Sequence, residues 1–148
     1  MNWKEEAKEK LRKYDAMKKA TINIPEEISR LEMELTAIRS ARTDGTPIRG
    51  GTSAREDAII NNIVKRQELD AALQNAASWV KTVDRALESL RPEERTILHR
   101  LYIYPERGSI ERLCHDLGCE NSSVYRRRDR ALRTFTLALY GVAGDDIP

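Results

Sequence analysis

Apolar residues recur at three- and four-residue intervals along most of this chain, the repeat of one face of an α-helix. Trp3, Ala7, Leu11, Tyr14 and Met17 or Lys18 follow it first, in a segment from about Asn2 to Thr21 that is rich in Lys, Glu and Ala. Ile24-Pro25 interrupts the run, and Pro25 followed by Glu26 and Glu27 marks a fresh helix start. Ile28, Leu31, Leu35, Ile38 and Arg42 then make a second seam. The stretch Thr43–Ser53 (TDGTPIRGGTS) ends it, because no helix is expected to survive Gly45, Pro47, Gly50 and Gly51 so close together.

Thr52 or Ser53 is expected to cap the next helix, which meets no breaker until Leu90. Its seam passes through Ile59 or Ile60, Ile63, Leu73, Ala76, Val80, Val83, Leu87 and Leu90, and Gln67 and Asp70 weaken it in the middle. Two seams joined by a loop predict a long, coiled-coil-like antiparallel hairpin, with the short first helix packed nearby. A helix of about 37 residues spans about 55 Å and would outreach its partner. The hairpin therefore reads either as a plain structural bundle or as an oligomerisation element.

Pro92 ends this region, and Glu93 and Glu94 open another helix with Ile97, Leu98, Leu101 and Tyr102 on one stripe. Tyr104-Pro105 and Gly108 close it. Ser109 is placed to cap a short helix whose Ile110, Leu113, Cys114 and Leu117 share a side. Gly118 follows where the chain must turn with positive φ, and Cys119 tucks under the turn. A further helix starts near Asn121 or Ser122, with Val124 as its first core residue. Helix, glycine turn and helix at this spacing form a helix-turn-helix pattern, with Leu113, Cys114, Leu117, Gly118, Cys119 and Val124 as its scaffold.

Composition narrows the fold class to all-α. Only 5% of the 148 residues are aromatic, with a single Phe, while 40% are hydrophobic and 34% charged. Narrow seams of Leu, Ile and Ala suit helical packing better than a large mixed core. A net charge of +2 says little, but its distribution says more: five Arg face one Asp between Asn121 and Arg133. The Lys-rich opening segment is interleaved with Glu5, Glu6 and Glu9 and reads as a solvated face.

Other chemistries find little support. No apolar run of signal-peptide or membrane length opens the chain, so a cytosolic protein without membrane contact is expected. Cys114 and Cys119 then read as packed free thiols, and with His99 and His115 they lack the spacing of a zinc site. Gly50-Gly51-Thr52-Ser53 lacks the lysine and the preceding strand of a phosphate-binding loop. No catalytic constellation is legible, so neither an enzyme nor a cofactor is expected.

Leu90-Arg91-Pro92-Glu93-Glu94-Arg95 with Ile97-Leu98 resembles the opening of sigma factor region 4, and SIERLCHDLGCENSSVYRRRDRALRTF is similar to its helix-turn-helix. With a helical N-terminal half, the architecture resembles small phage and prophage regulators of the ArpU/RinA type. The resemblance covers roughly Leu87 to Tyr140. With the hairpin read from the seams over 1–88 (loop 43–53), it implies a DNA-binding domain over 89–141 and leaves a tail over 142–148. It also implies a transcriptional regulator whose partners are double-stranded DNA, a second protomer and RNA polymerase.

Asn121, Ser122, Tyr125 and Arg126 would then face the bases, with Asn121 suited to adenine and Arg126 to guanine. Ser123, Arg128, Arg130 and Arg133 would meet phosphates. Arg127 departs from the pattern, standing where such helices carry an aliphatic residue; either its stem lies along the core edge, or the helix rotates so that Ala131 and Phe135 pack. Two other readings combine the same parts: a small-terminase-like DNA-packaging factor, and a sigma-like polymerase adaptor.

Overall fold

The structure is a computed structural model and describes residues 2–41 and 51–143. Most of the expected Thr43–Ser53 loop, and the tail from residue 144 on, lie outside the described residues. Within them the protein is all-α, with no strand. Helix α1 spans Trp3–Ser40, α2 Gly51–Glu88 and α3 Pro92–Leu98. A π-helical turn, His99–Ile103, extends α3, followed by α4 (Ser109–Leu117) and α5 (Asn121–Tyr140).

One helix stands where a break at Pro25 is expected. Pro25 removes a backbone donor and crowds the carbonyl four residues back, which normally costs about 3 kcal/mol inside a helix. The seam nevertheless keeps its phase through it: Ile24 and Ile28 are half-buried and Leu31 and Leu35 are buried, whereas Pro25 is exposed. A proline on the solvent side leaves the packed face intact, so packing on both sides outweighs the local penalty.

The start of α2 also differs from expectation. The helix begins at Gly51, so Thr52 and Ser53 lie inside its first turn rather than ahead of it as caps. At its other end the helix closes at Glu88, and two tight turns follow, with the N–H of Leu90 donating to Leu87 O at 3.1 Å.

The chain forms two compact units. Lys18–Ala77 makes one, and the stretches up to Met17 and from Ser78 onward make the other. Contacts thus divide inside both long helices.

In the Lys18–Ala77 unit, α1 and α2 segments run antiparallel. Asn62 Nδ2 donates to Leu31 O at 2.8 Å, and one Arg55 guanidinium nitrogen donates to Arg39 O at 3.2 Å. One buried anchor of α2, beside Ile63, is a residue the apolar pattern passes over. Asn62 is 3% exposed, and its Oδ1 accepts a bond from Arg66 Nε at 2.9 Å. A satisfied amide buried in a helix pair holds one register, because sliding the helices would leave it without partners.

The other unit is built on a buried cluster joining four segments. Ala7, Leu11 and Tyr14 of α1 meet Val83, Ala86 and Leu87 of α2, together with Leu98 of α3 and Ala131, Leu132 and Phe135 of α5. The Tyr14 hydroxyl donates to Asp84 Oδ1 at 2.5 Å, and the Tyr104 hydroxyl donates to Asp15 Oδ1 at 2.9 Å. Burial, with the Asp84 carboxylate beside it, pushes the Tyr14 phenol well above its ordinary pKa. Ala143 is fully buried, whereas Val142 before it is exposed.

Candidate nucleic-acid interface

A second, smaller cluster organises α3, α4 and α5. Ile97, Leu113 and Val124 have no solvent exposure, and Leu101, Ile110, Cys114, Leu117 and Cys119 pack around them half-buried. Five of the six scaffold residues read from the sequence (Leu113, Cys114, Leu117, Cys119 and Val124) thus sit together at one junction, and the sixth, Gly118, is exposed at the turn between α4 and α5. Glu94 Oε1 accepts the Arg91 N–H at 3.4 Å, which helps to close the first turn of α3.

The entry into α4 is made differently from expectation. Gly108 adopts a left-handed conformation (φ 75°) and takes the cap position, leaving Ser109 as the first helical residue. The Ser109 hydroxyl turns back, donating to Glu106 O at 2.6 Å and accepting from the Glu106 N–H at 3.2 Å. Arg112 pairs with Glu106 as well, so this loop is tied from both sides.

Gly118 ends α4 in the left-handed region, with φ 63° and ψ 38°. The N–H of Cys119 bonds Cys114 O at 3.1 Å, the six-residue closure that satisfies a helix C-terminus. A Cβ added at Gly118 would meet nothing within 4 Å, so the need for glycine here is conformational rather than spatial. Gly118→Ala is expected to cost about 1–2 kcal/mol, the price of a left-handed non-glycine residue. Urea denaturation would register it as a lower midpoint with unchanged slope; a loss above about 3 kcal/mol would mean that the turn is crowded after all.

Helix α5 presents two faces. Val124, Ala131, Leu132, Phe135 and Thr136 are buried. Ser122, Tyr125, Arg126, Asp129, Arg130 and Arg133 are exposed, spaced so that they fall on the opposite side. Asn121 is also exposed, at the start of the helix. Asn121 and Tyr125 border an open depression of about 300 Å³, together with Arg100, Glu106 and Ser109. All four expected base-facing residues therefore stand together at one end of α5. Among the described residues, Arg126, Arg130 and Arg133 form no ion pair.

Two residues expected to meet phosphates are less exposed. Ser123 is half-buried, and its N–H closes a tight turn to Glu120 O at 3.0 Å. Arg128 is half-buried, with its guanidinium 5.0 Å from the centre of the Tyr125 ring and hydrogen-bonded to Asp129 Oδ1 at 2.9 Å. Its donors are partly used inside the helix, whereas those of Arg130 and Arg133 point to solvent.

Arg127 resolves into a combination of the two expectations. It is half-buried and pairs with Glu93 in the first turn of α3, while Ala131 and Phe135 take over the packing. A second pair, Arg100 with Asp116, links the π-helical turn to the end of α4 and holds the Asp116 carboxyl below its ordinary pKa. Sequence spacing carries no signal for either pair, since the partners lie 34 and 16 positions apart.

One contact bears directly on the face expected to meet the bases. Cys114 Sγ lies 2.8 Å from Asn121 Oδ1, so the amide expected to face adenine is already engaged through its oxygen. His115 is exposed, away from the buried junction. Among the described residues no group of three His, Cys, Asp or Glu side chains converges as a metal site would require. No helix among them is long and apolar enough to cross a membrane. No protein-family model matches this chain, and neither the curated proteins nor the solved structures compared with it include a match.

Proposed function

We propose that this chain is a sequence-specific DNA-binding protein that regulates transcription, with α5 as the helix that enters the major groove. The observation that carries the reading is the exposed stripe of α5. Ser122, Tyr125, Arg126, Arg130 and Arg133 lie opposite its buried face, immediately after a left-handed glycine turn that sets α5 against α4. A helix with unpaired cations on one side and a packed core on the other can approach a duplex without losing stability. The resemblance of Leu87–Tyr140 to sigma factor region 4 supports the same role, and the likeness to ArpU/RinA-type regulators supports control of phage or prophage genes.

In this reading Arg126 donates two bonds to guanine O6 and N7, and Arg130 and Arg133 neutralise phosphates. A second protomer would match a palindromic site, and RNA polymerase would be the protein partner in activation.

Selecting bound fragments from random duplex DNA tests the proposal, with affinities read by fluorescence anisotropy. Arg126→Ala is expected to relax the preference at one base pair by about 1–3 kcal/mol. Arg133→Ala is expected to weaken every sequence evenly and to flatten the salt dependence by about one unit of slope. Two variants that bound all sequences as the wild type does would remove α5 from the interface. Light scattering separates the packaging reading, in which rings of eight or more subunits are expected. Capture of core polymerase without any duplex binding would favour the adaptor reading.

A further inference from the structure

Asn121 is exposed at the first turn of α5, yet its side chain has a defined facing. The Cys114 thiol stands 2.8 Å from its Oδ1. In this arrangement the thiol donates and the amide oxygen accepts. The oxygen is turned toward α4, and the Nδ2 group is the part left for an incoming partner.

The sulfur is held from several sides. Gly118 sets how α4 and α5 approach each other, and Cys114 O accepts the N–H of Cys119 across the turn. The Cys114 side chain packs against the buried Ile97, Leu113 and Val124 cluster. Partial burial, with Cys119 and Glu111 nearby, pushes the thiol pKa up. The sulfur therefore keeps its proton at neutral pH and remains a donor.

This facing changes what Asn121 can read. In the major groove adenine offers one donor, N6, and one acceptor, N7, so a two-bond contact needs Oδ1 and Nδ2 on the same base edge. Guanine offers two acceptors, O6 and N7, and asks only for donors. An amide whose oxygen is committed inward is matched to the second pattern.

We propose, resting on the reading of α5 as the groove-facing helix, that Cys114 is a positioning residue. By holding the Asn121 oxygen inward it makes Asn121 a donor-only reader, which selects guanine over adenine at the base pair it meets. The thiol thus acts on specificity through Asn121 and touches no base itself.

Fragment selection from random duplex DNA in reducing buffer tests this with four proteins: wild type, Asn121→Ala, Cys114→Ala and Cys114→Ser. The wild type is expected to prefer G·C at one pair, and Asn121→Ala to lose that preference. Cys114→Ala should shift about tenfold toward A·T at that pair alone. Cys114→Ser, whose hydroxyl also donates, should keep the wild-type preference.

A Cys114→Ala selection matching the wild type at the pair sensitive to Asn121→Ala overturns the positioning role. An even loss of affinity at all pairs in both Cys114 variants also overturns it, because packing alone predicts that result. A wild-type protein that binds no duplex overturns the DNA reading first, and this inference falls with it. Should Cys114→Ala fail to fold, side-chain amide NMR of the Cys119→Ala protein gives a second measure. Methylthiolation of Cys114 should shift the Asn121 Nδ2 protons, and unchanged resonances would overturn the contact on which the proposal stands.

Discussion

Phe135→Ala is expected to cost about 3–5 kcal/mol of stability, the largest loss from any single side-chain truncation in the unit that holds α5. Phe135 is the only phenylalanine in the chain and has no solvent exposure. It shares one buried cluster with Leu11 of α1, Val83 and Leu87 of α2, and Ala131 of α5. Removing the ring forfeits its burial, and it also leaves a cavity between segments that come from distant parts of the sequence and cannot easily close on it. Urea denaturation followed by circular dichroism would measure the loss. Leu137→Ala serves as the control on the same helix: Leu137 is 41% exposed, and its truncation is expected to stay within about 0.5 kcal/mol. A Phe135→Ala protein within 1 kcal/mol of the wild type would show that α5 is not anchored by this ring.

The second large effect concerns binding. Replacing Arg126, Arg130 and Arg133 together by Ala is expected to lower affinity for a selected duplex on the order of a hundredfold or more. The three side chains share the exposed face of α5 and are not committed to carboxylates among the described residues. In the proposed reading their loss removes one base contact and two phosphate contacts while touching no buried residue. The salt slope should flatten by roughly two to three units, and thermal stability should hold. Arg30→Ala is the matching control, since Arg30 lies in the Lys18–Ala77 unit and is paired with Glu27 at 2.6 Å. It is expected to leave DNA binding unchanged. If the triple variant kept wild-type affinity, the proposed interface would have to be abandoned.

These two expectations separate the jobs of α5. Its buried face, which includes Phe135, fixes where the helix lies; its exposed face, beginning at Asn121, is open to solvent. The Gly118 turn joins that face to α4, and the Cys114 contact reaches from α4 to the first residue of α5.

Much of this was legible in the residue order. Three- and four-residue spacing located the helices, because a helix with one buried stripe writes its period into the chain. The turn at Gly118 was legible for a similar local reason, since few residues besides glycine adopt positive φ between two helices. Leu113 and Val124 could be assigned to the core from their place relative to that glycine, and both are fully buried.

What escaped the sequence were matters settled between segments. Pro25 was expected to end a helix, because its penalty is local whereas the seam that carries the helix past it is not. Asn62 was passed over by a pattern of apolar residues, since only the opposite helix supplies the carbonyl that makes its burial tolerable. Arg127 had two possible positions, and Glu93, 34 residues away, is its partner. Arg128, expected to reach phosphate, also lies over the Tyr125 ring of its own helix.

The same distinction applies to the proposed reading face. Residue order by itself determined which side chains α5 carries and which of its faces is polar, because helical periodicity alone assigns them. Only the tertiary structure decided how those side chains are committed: Arg127 to α3, Arg130 and Arg133 to solvent, and the Asn121 oxygen to the Cys114 thiol. Periodicity is a property of one helix, whereas the partner of a hydrogen bond or a charge is chosen by whichever group the fold brings within about 3 Å.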